Sequence, residues 1–217
     1  MACSGGGDFE DATLDTKLDT ASYAIGNSIG RSMSAQGVEA NLPVLFKGLH
    51  DAYNNGEIML SDSVLRAVLQ QTQAEASQRQ QADAMRQAEV NQFAGETFLE
   101  ENAKKDDIVV LESGLQYRVI KEGEGASPAS DQEVSVHYTG KLLDGTVFDS
   151  SVERGQPATF NLNRVIRGWT EALQLMQVGD KWELFVPSHL AYGRRGSGDK
   201  IPPNTTLIFE VELLGMD

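Results

Sequence analysis

The chain has 217 residues, a formal net charge of −14 at pH 7 and a single cysteine. This length suits one large domain or two smaller ones. The charge argues against a nucleic-acid partner, because an acidic surface repels phosphates, and one cysteine excludes a disulfide within the chain. No apolar run is long enough to span a bilayer.

Residues 1–19 are rich in Gly and Asp and are predicted to form a flexible tether. They include Cys3 in the sequence Ala-Cys-Ser-Gly, which resembles the cleavage point of a bacterial lipoprotein signal. On that hypothesis Cys3 is acylated, Met1 stands where a signal peptide was removed, and the protein is periplasmic or associated with an outer membrane. The alternative is a cytoplasmic protein with an incidental cysteine.

Two short helices are predicted within residues 20–60. The first is expected to end at Gly37, and the second to open at Asn41-Leu42-Pro43. The first carries an apolar stripe at four-residue spacing, formed by Ala21, Ile25, Ile29 and Met33. Because helices this short cannot bury their apolar sides alone, we expect residues 20–60 to pair with a second copy of the chain. The alternative is a monomeric cap of three helices.

A long third helix is predicted over residues 61–105, with a cap at Ser61-Asp62. It contains no proline, and Gly95 is its weak point. About forty residues at ~1.5 Å each would span roughly 60 Å. Residues 70–87 are mostly Gln, Ala and charged residues, a composition typical of a helix that bridges through solvent. Low-complexity disorder is the alternative, but the Ala content favours helix.

Over residues 106–217 apolar residues recur at every second position, a pattern that indicates strands. Asp144-Gly145 marks a hairpin turn, whereas Trp169, Leu173 and Met176 have helical spacing. We therefore expect an α+β domain, in which an antiparallel sheet packs on one short helix. The expected strand faces are Leu115, Tyr117 and Val119, then Val134, Val136 and Tyr138, then Trp182, Leu184 and Val186, and finally Leu207, Phe209, Val211 and Leu213.

Five motifs in this part of the chain carry aromatic residues but no nucleophile–base pair. No histidine stands in a metal-ligand spacing, and we assign no cofactor. An aromatic pocket without a nucleophile suits a reaction that needs only binding and desolvation, such as rotation about an X–Pro peptide bond. The motifs are VHYTG (136–140), DGTVFDSS (144–151), VIRGW (165–169), LAYG (190–193) and IPPNTTLIFEVELL (201–214).

Together these motifs closely resemble the FKBP-type peptidyl-prolyl cis-trans isomerases, and the whole chain resembles the Mip-like and FkpA-like bacterial members. The resemblance implies N-terminal helices that intertwine in a homodimer, a long connecting helix and an isomerase domain with the FKBP fold. It also implies rotamase and chaperone activity on proline-containing unfolded proteins. The alternative is a holding chaperone or a surface-exposed, virulence-type binding protein with incidental isomerase activity.

The resemblance further implies a proline-binding pocket with Trp169 as its floor. The Ile166 backbone N–H would donate a hydrogen bond to a substrate carbonyl. The other substrate-binding residues that the resemblance implies are Phe148, Arg154, Val165, Ile201 and Phe209. As isolated residues, Trp169 and Phe209 would instead be interpreted as ordinary core aromatics.

Tyr138, Asp149 and Tyr192 are the catalytic residues that the resemblance implies. Asp149 would lie beside the twisting amide, and its carboxylate would pair with Arg154 and with the Tyr138 hydroxyl, which would keep it ionised. The Tyr192 hydroxyl would donate to a second substrate carbonyl. The alternatives are that Asp149 is a structural ion-pair acid and that Tyr192 is a turn residue packed on the sheet.

The chain departs from the family pattern in three places. Ala158 stands where many members have an aromatic after the loop proline, and Phe160 is expected to point to the core, which would leave the pocket rim open. The loop 194–200 is more charged than in the small eukaryotic members. This predicts weaker binding of macrolide inhibitors and favours acidic or extended substrates. Trp182 is bulky where a small residue is common, and is predicted to pack in the core.

Overall fold

The computed structural model describes residues 12–216 and contains two compact units, one ending at Asp83 and the other beginning at Ala84. Residues 1–11, with Cys3, lie outside the described part, so the tether there and the acylation of Cys3 stay predictions. The α-helices of the described part are α1 (Lys17–Ala35), α2 (Leu42–Tyr53), α3 (Asp62–Asn102) and α4 (Arg167–Leu175). The strands are β1 (Val109–Val110), β2 (Gln116–Lys121), β3 (Glu133–Lys141), β4 (Val147–Ser150), β5 (Ala158–Asn161), β6 (Lys181–Val186) and β7 (Leu207–Met216).

Helix α1 begins at Lys17, earlier than the sequence predicts. Thr16 and Asp19 form a reciprocal cap, in which the Asp19 N–H donates to Thr16 Oγ1 at 3.1 Å and the Thr16 N–H donates to Asp19 Oδ2 at 2.8 Å. Such a capping box satisfies two N–H groups that would otherwise lack partners, so residues 17–19 are helical and are not part of a tether. The predicted end of α1 is confirmed, because Gly37 has φ of +66°, the left-handed conformation that stops helices.

The two short helices bury none of their residues. In the apolar stripe of α1, Ile25 is 63% exposed and Ile29 is 43% exposed, and Leu49 of α2 is 55% exposed. Burial of an aliphatic side chain of this size contributes about 1.5–3 kcal/mol. In a single chain, the apolar side chains of α1 and α2 therefore stay exposed and contribute little of this free energy.

Helix α3 runs without interruption through its Gln-rich part, which confirms the helical interpretation over disorder. Gly95 has a packing role that the sequence does not indicate. A Cβ at this position would lie 2.3 Å from Thr206 Oγ1, so only glycine lets the helix approach the segment before β7 this closely. Further along α3, the buried Asn102 amide donates to Gln116 Oε1 at 2.9 Å and joins the helix to β2.

The second unit contains an antiparallel sheet with the strand order β1-β2-β6-β7-β3-β4. β5 pairs with the first half of β3, where Val134 lies opposite Phe160, and β4 pairs with the second half, where Gly140 lies opposite Asp149. The hairpin predicted at Asp144-Gly145 is confirmed as the turn between β3 and β4. The sequence does not predict β1 and β5, because strands of two and four residues carry too little alternation.

The hydrophobic core lies between this sheet and α4, and the expected α+β architecture is confirmed. Helix α4 buries Trp169, Ala172 and Leu173. Trp182 is 6% exposed and its ring stacks on Tyr117 with centroids 4.1 Å apart, which confirms the predicted core packing. Buried residues alternate with more exposed ones along the strands, and the buried face of the sheet is the one that packs on α4.

Candidate active site

A cavity of about 500 Å³ opens beside the start of α4, a volume within the range of small-ligand sites. Eight of the ten residues assigned above to catalysis or substrate binding line it, and Arg154 and Ile201 are the two that do not. The lining residues are Tyr138, Phe148, Asp149, Phe160, Arg164, Val165, Ile166, Arg167, Trp169, Ala191, Tyr192 and Phe209.

The floor of the cavity is an interlocked set of aromatic rings around Trp169, which is 4% exposed. The rings of Tyr138 and Phe209 meet Trp169 edge-on, with centroids 5.2 and 5.3 Å away. Phe148 meets Phe209 at 5.5 Å and 89°. Edge-to-face pairs of this kind add about 0.5–1.5 kcal/mol each beyond area burial, so the box is held in shape before any ligand enters.

The register of the sheet brings these distant aromatics together. In the pairing of β3 with β7, Tyr138 lies opposite Val211 and Gly140 lies opposite Phe209. A Cβ on Gly140 would lie 2.5 Å from the Phe148 ring and 2.9 Å from the Phe209 ring. Glycine at this position therefore allows both walls to close over the sheet. The sequence carries Gly140 within the motif VHYTG, but its role depends on contacts that no local pattern reveals.

The structure corrects the expectation for Phe160. This residue lines the cavity as well as packing against the core. Its ring lies 5.6 Å from Trp169 at 86° and 5.9 Å from Tyr138 at 60°. Because β5 pairs with β3, a residue two positions after Ala158 also reaches the cavity. An open rim at Ala158 stays a prediction.

Asp149 is the centre of a polar cluster at the edge of the aromatic box. The Tyr138 hydroxyl donates to one carboxylate oxygen, and the Arg154 guanidinium donates to the other. Arg154 Nη2 also donates to the Tyr138 hydroxyl at 3.1 Å, and its Cζ lies 5.7 Å from the centre of the Tyr138 ring. Arg154 thus acts on the carboxylate from outside the cavity and fixes its orientation.

Burial and hydrogen bonding set the protonation states in this cluster. Burial raises the pKa of Asp149, but the hydrogen bonds from the Tyr138 hydroxyl and the Arg154 guanidinium outweigh it and hold the pKa below its ordinary value. Burial, and then the hydrogen bond to Asp149, raise the pKa of Tyr138. At neutral pH Asp149 is therefore ionised and Tyr138 keeps its proton.

Two hydrogen-bond donors stand at the mouth of the cavity. Within residues 12–216, the Ile166 backbone N–H has no acceptor, because Ile166 precedes the first turn of α4 and only its carbonyl is engaged. Tyr192 is 40% exposed, and burial together with the negative charge of Asp149 raises the pKa of its hydroxyl, which stays protonated. Both groups can donate to a carbonyl that enters from solvent.

Ile201 lies behind the cavity wall rather than on it. It is 6% exposed within the hydrophobic core, and its backbone pairs with Ser197 at 2.8 and 3.2 Å. The neighbouring Lys200 ammonium donates to the Phe148 carbonyl oxygen at 3.1 Å and so ties the charged loop to the strand that carries Asp149. A direct contact between Ile201 and substrate stays a prediction.

Known proteins resemble the chain along almost its whole length. The FKBP-type 22 kDa peptidyl-prolyl cis-trans isomerase of Escherichia coli (strain K12) is 51% identical over 205 residues, which cover 93% of this chain and 97% of that protein. The Outer membrane protein MIP of Legionella longbeachae is 46% identical over 207 residues, which cover 95% of this chain and 89% of that protein. The chain belongs to the FKBP-type peptidyl-prolyl cis-trans isomerases.

Family models and a solved structure agree with this membership. Residues 124–214 of this isomerase match the model of the FKBP-type peptidyl-prolyl cis-trans isomerase, and residues 18–119 match the domain amino terminal to it. The crystal structure of FkpA from Escherichia coli is similar with a TM-score of 0.76 and 35% identity, over 94% of this chain and 99% of that one. The predicted family, fold and enzymatic activity are thereby confirmed.

Two further findings concern the part of the chain that the structure describes. Between residues 12 and 216, no group of three or more His, Cys, Asp or Glu side chains is arranged to hold a metal ion. Over the same residues, no helix combines the length and apolarity that a membrane span requires.

Proposed function

We propose that the cavity above Trp169 binds the prolyl residue of the substrate and that rotation about the X–Pro bond takes place there. The uncatalysed rotation crosses a barrier of about 20 kcal/mol, because nitrogen donation into the carbonyl holds the amide planar. The twisted transition state has lost this resonance and carries less charge on its oxygen. An apolar aromatic box accommodates that state better than it does the more polar planar amide.

The observation that carries this proposal is the combination of the apolar box with free donors at its mouth. The unpaired Ile166 N–H and the protonated Tyr192 hydroxyl would hold carbonyl groups on either side of the proline. Asp149 would face the rotating amide as a fixed charge whose orientation requires no reorganisation during the reaction. Its ionised state follows from the contacts with Tyr138 and Arg154.

The test is a protease-free isomerisation assay on a short proline peptide. Tyr192→Phe should lower kcat/KM about fivefold, because a neutral hydrogen bond contributes roughly 1 kcal/mol. Asp149→Asn should lower it by about tenfold or more, because hydrogen bonds to charged groups are stronger. Tyr117→Phe is the matched control, since this tyrosine stacks on Trp182 in the core outside the cavity lining. Unchanged activity in both cavity variants would remove the site assignment.

We also propose that residues 20–60 form the dimerisation region, that residues 61–105 form the connecting helix and that residues 106–217 form the isomerase domain. The support is the exposed apolar stripe of α1, which a second copy of the chain would cover. Sedimentation should show a dimer for the unaltered chain and a monomer for Ile25→Glu combined with Ile29→Glu. Asn27→Glu, on the opposite side of α1, is the control. A monomeric unaltered chain would favour the three-helix cap instead.

A dimer would present two cavities to one unfolded chain and so raise their effective concentration. We propose that the protein is a folding helper that uses this arrangement. The monomeric Ile25→Glu/Ile29→Glu variant should keep its kcat/KM on a short peptide but accelerate proline-limited refolding of a protein less. The alternative is a holding chaperone with incidental activity, which predicts that Tyr192→Phe prevents aggregation as well as the unaltered chain does.

The charges at the cavity rim favour substrates with an acidic side chain near the proline. Arg164 and Arg167 line the cavity, both are exposed, and neither has an ion-pair partner among the described residues. Asp149 is the carboxylate of the lining, and Arg154 already neutralises it. The rim is thus cationic in a chain of net charge −14, which attracts negative groups. Macrolide inhibitors would compete with substrate for the same cavity, and the charged rim should weaken their binding.

We propose that the protein works in the bacterial envelope, either in the periplasm or at the outer membrane. The support is the similarity to a relative named Outer membrane protein MIP. Anchoring by an acylated Cys3 is the more specific form of this proposal and rests on the sequence around Cys3. Fractionation and the intact mass of the native protein test both statements, and a mass without acyl chains in a cytosolic fraction would refute them.

A further inference from the structure

Helix α3 holds the loop that leads from the cavity to β7, residues 201–206. The Asn91 amide of α3 donates to the Pro203 carbonyl oxygen at 2.8 Å and to Thr205 Oγ1 at 3.3 Å. Asn91 is part-buried, and both of its acceptors belong to the loop. One side chain of α3 therefore fixes two positions of a loop that carries no regular secondary structure.

Asn204 connects α3 to the turn that carries Tyr192. It has φ of +55°, a left-handed conformation that is uncommon for any residue but glycine and is best tolerated by Asn. Its side-chain amide donates back to Gln92 Oε1 of α3 at 3.3 Å, while its backbone N–H donates to the Gly193 carbonyl oxygen at 2.8 Å. Gly193 follows Tyr192 directly, so the loop is anchored to α3 on one side and to the Tyr192 turn on the other.

The other side of Tyr192 is also fixed by backbone bonds. The Ala191 N–H donates to the Ser188 carbonyl oxygen at 3.0 Å, in a short turn that comes directly before Tyr192 in the chain. Among the described residues, the Tyr192 hydroxyl has no hydrogen-bond partner that would orient it. The backbone on the two sides of Tyr192, held through Ser188 at one end and through Asn204 at the other, therefore helps to set the position of the hydroxyl at the cavity.

We propose that Asn91 and Asn204 are positioning residues of the isomerase site, through which α3 sets the place of the Tyr192 hydroxyl. This inference rests on the proposed role of Tyr192 in holding a substrate carbonyl. It makes part of α3 a component of the active-site scaffold, in addition to any role as a connection. Because a misplacement of about 1 Å can cost a large factor in rate, loosening the loop should affect catalysis before it affects the fold.

The experiment is a double-mutant cycle in the full chain, with kcat/KM measured on a short proline peptide. Asn91→Asp is nearly isosteric but replaces the donor with an acceptor that faces the Pro203 carbonyl. It should lower kcat/KM about three- to fivefold alone, and less than about twofold in the Tyr192→Phe background, because both changes remove the same interaction. Gln80→Glu is the matched control, since the Gln80 amide donates to the Ala35 carbonyl at 2.8 Å in the first unit.

Asn204 provides a second, independent arm. Asn204→Gly keeps the left-handed backbone and loses only the side-chain contact, whereas Asn204→Ala loses both, so the loss of kcat/KM should be larger for Ala. Hydrogen exchange of the residue 204 amide should quicken in Asn91→Asp and stay unchanged in Gln80→Glu, while the global melting temperature changes little.

The outcomes separate this inference from the proposed function. If Tyr192→Phe alone leaves kcat/KM unchanged, the role of Tyr192 fails and the positioning role fails with it. If Tyr192→Phe lowers kcat/KM but Asn91→Asp has no effect, or has the same effect in both backgrounds, only the positioning role is overturned. A loss in Asn91→Asp that disappears in the Tyr192→Phe background supports it.

Discussion

Replacing Gly140 with alanine should damage the cavity more than it damages the fold. The added Cβ would lie 2.5 and 2.7 Å from two atoms of the Phe148 ring and 2.9 Å from the Phe209 ring. Ordinary carbon contacts begin near about 3.5 Å, so the two walls must retreat by roughly 1 Å. Overpacking of this kind costs about 1–3 kcal/mol of unfolding free energy, and a displacement of roughly 1 Å at a reacting centre can lower the rate up to about 100-fold.

The assay for Gly140→Ala combines kcat/KM on a proline peptide with the free energy of unfolding in urea. Gly215→Ala is the matched control, because Gly215 also lies in the sheet and a Cβ there would meet nothing within 4 Å. We expect kcat/KM to fall at least tenfold in Gly140→Ala and to change little in Gly215→Ala. Wild-type activity in Gly140→Ala would refute the reasoning that the closeness of Phe148 and Phe209 over this glycine shapes the site.

Three further predictions follow from the described contacts. Activity should be independent of pH from about 5 to 9. The lowered pKa of Asp149 keeps its carboxylate ionised in mild acid, and the raised pKa values of Tyr138 and Tyr192 keep both hydroxyls protonated until above about pH 10. A pH profile with a transition near 7 would contradict this. Arg164→Gln should lower kcat/KM up to about fivefold for a peptide with Glu beside proline but not for its Gln counterpart, and salt should abolish the difference. Gly95→Ala should lower the melting temperature, because the methyl group would collide with Thr206, although alanine favours helix elsewhere.

The pH dependence of stability follows from the same groups. Because the pKa of Asp149 is lowered in the folded state, its stabilising contribution is present above the unfolded pKa and is lost as the pH falls through the folded value. The raised pKa values of Tyr138 and Tyr192 affect the stability at high pH. Their contributions are present below the unfolded pKa of about 10 and are lost as the pH rises through the folded values.

Local signals account for the elements that the sequence predicts correctly. Asn41 caps α2 and Gly37 ends α1, since each of these effects depends on residues within one turn. The period-two segments became strands, and Asp144-Gly145 became a hairpin turn, for the same reason. The capping box of Thr16 and Asp19 also lies in the sequence, and it explains why α1 begins before residue 20.

The misplaced and missing features of the cavity and of its supports depend on residues far apart in the chain. Phe160 reaches the cavity because β5 pairs with β3, and β5 is too short to be predicted. Gly95 is required because Thr206, more than a hundred positions away, packs against it. Helix propensity identifies Gly95 as a weak point of α3 but does not reveal this contact. The same holds for Asn91, whose amide is ordinary for an exposed helix until the loop 201–206 packs against it.

Caps, periods and motifs act over a few neighbouring residues, and for this reason they predict the helices, most of the sheet, the family and most of the residue types in the cavity. How these residues meet is set by the folded chain. The register of β3 with β7 sets Gly140 against Phe209, and α4 then brings Trp169 beneath both walls. Such contacts are set by packing and by hydrogen bonds between distant segments, whose energies depend on distances of a few tenths of an ångström, and no local pattern encodes those distances.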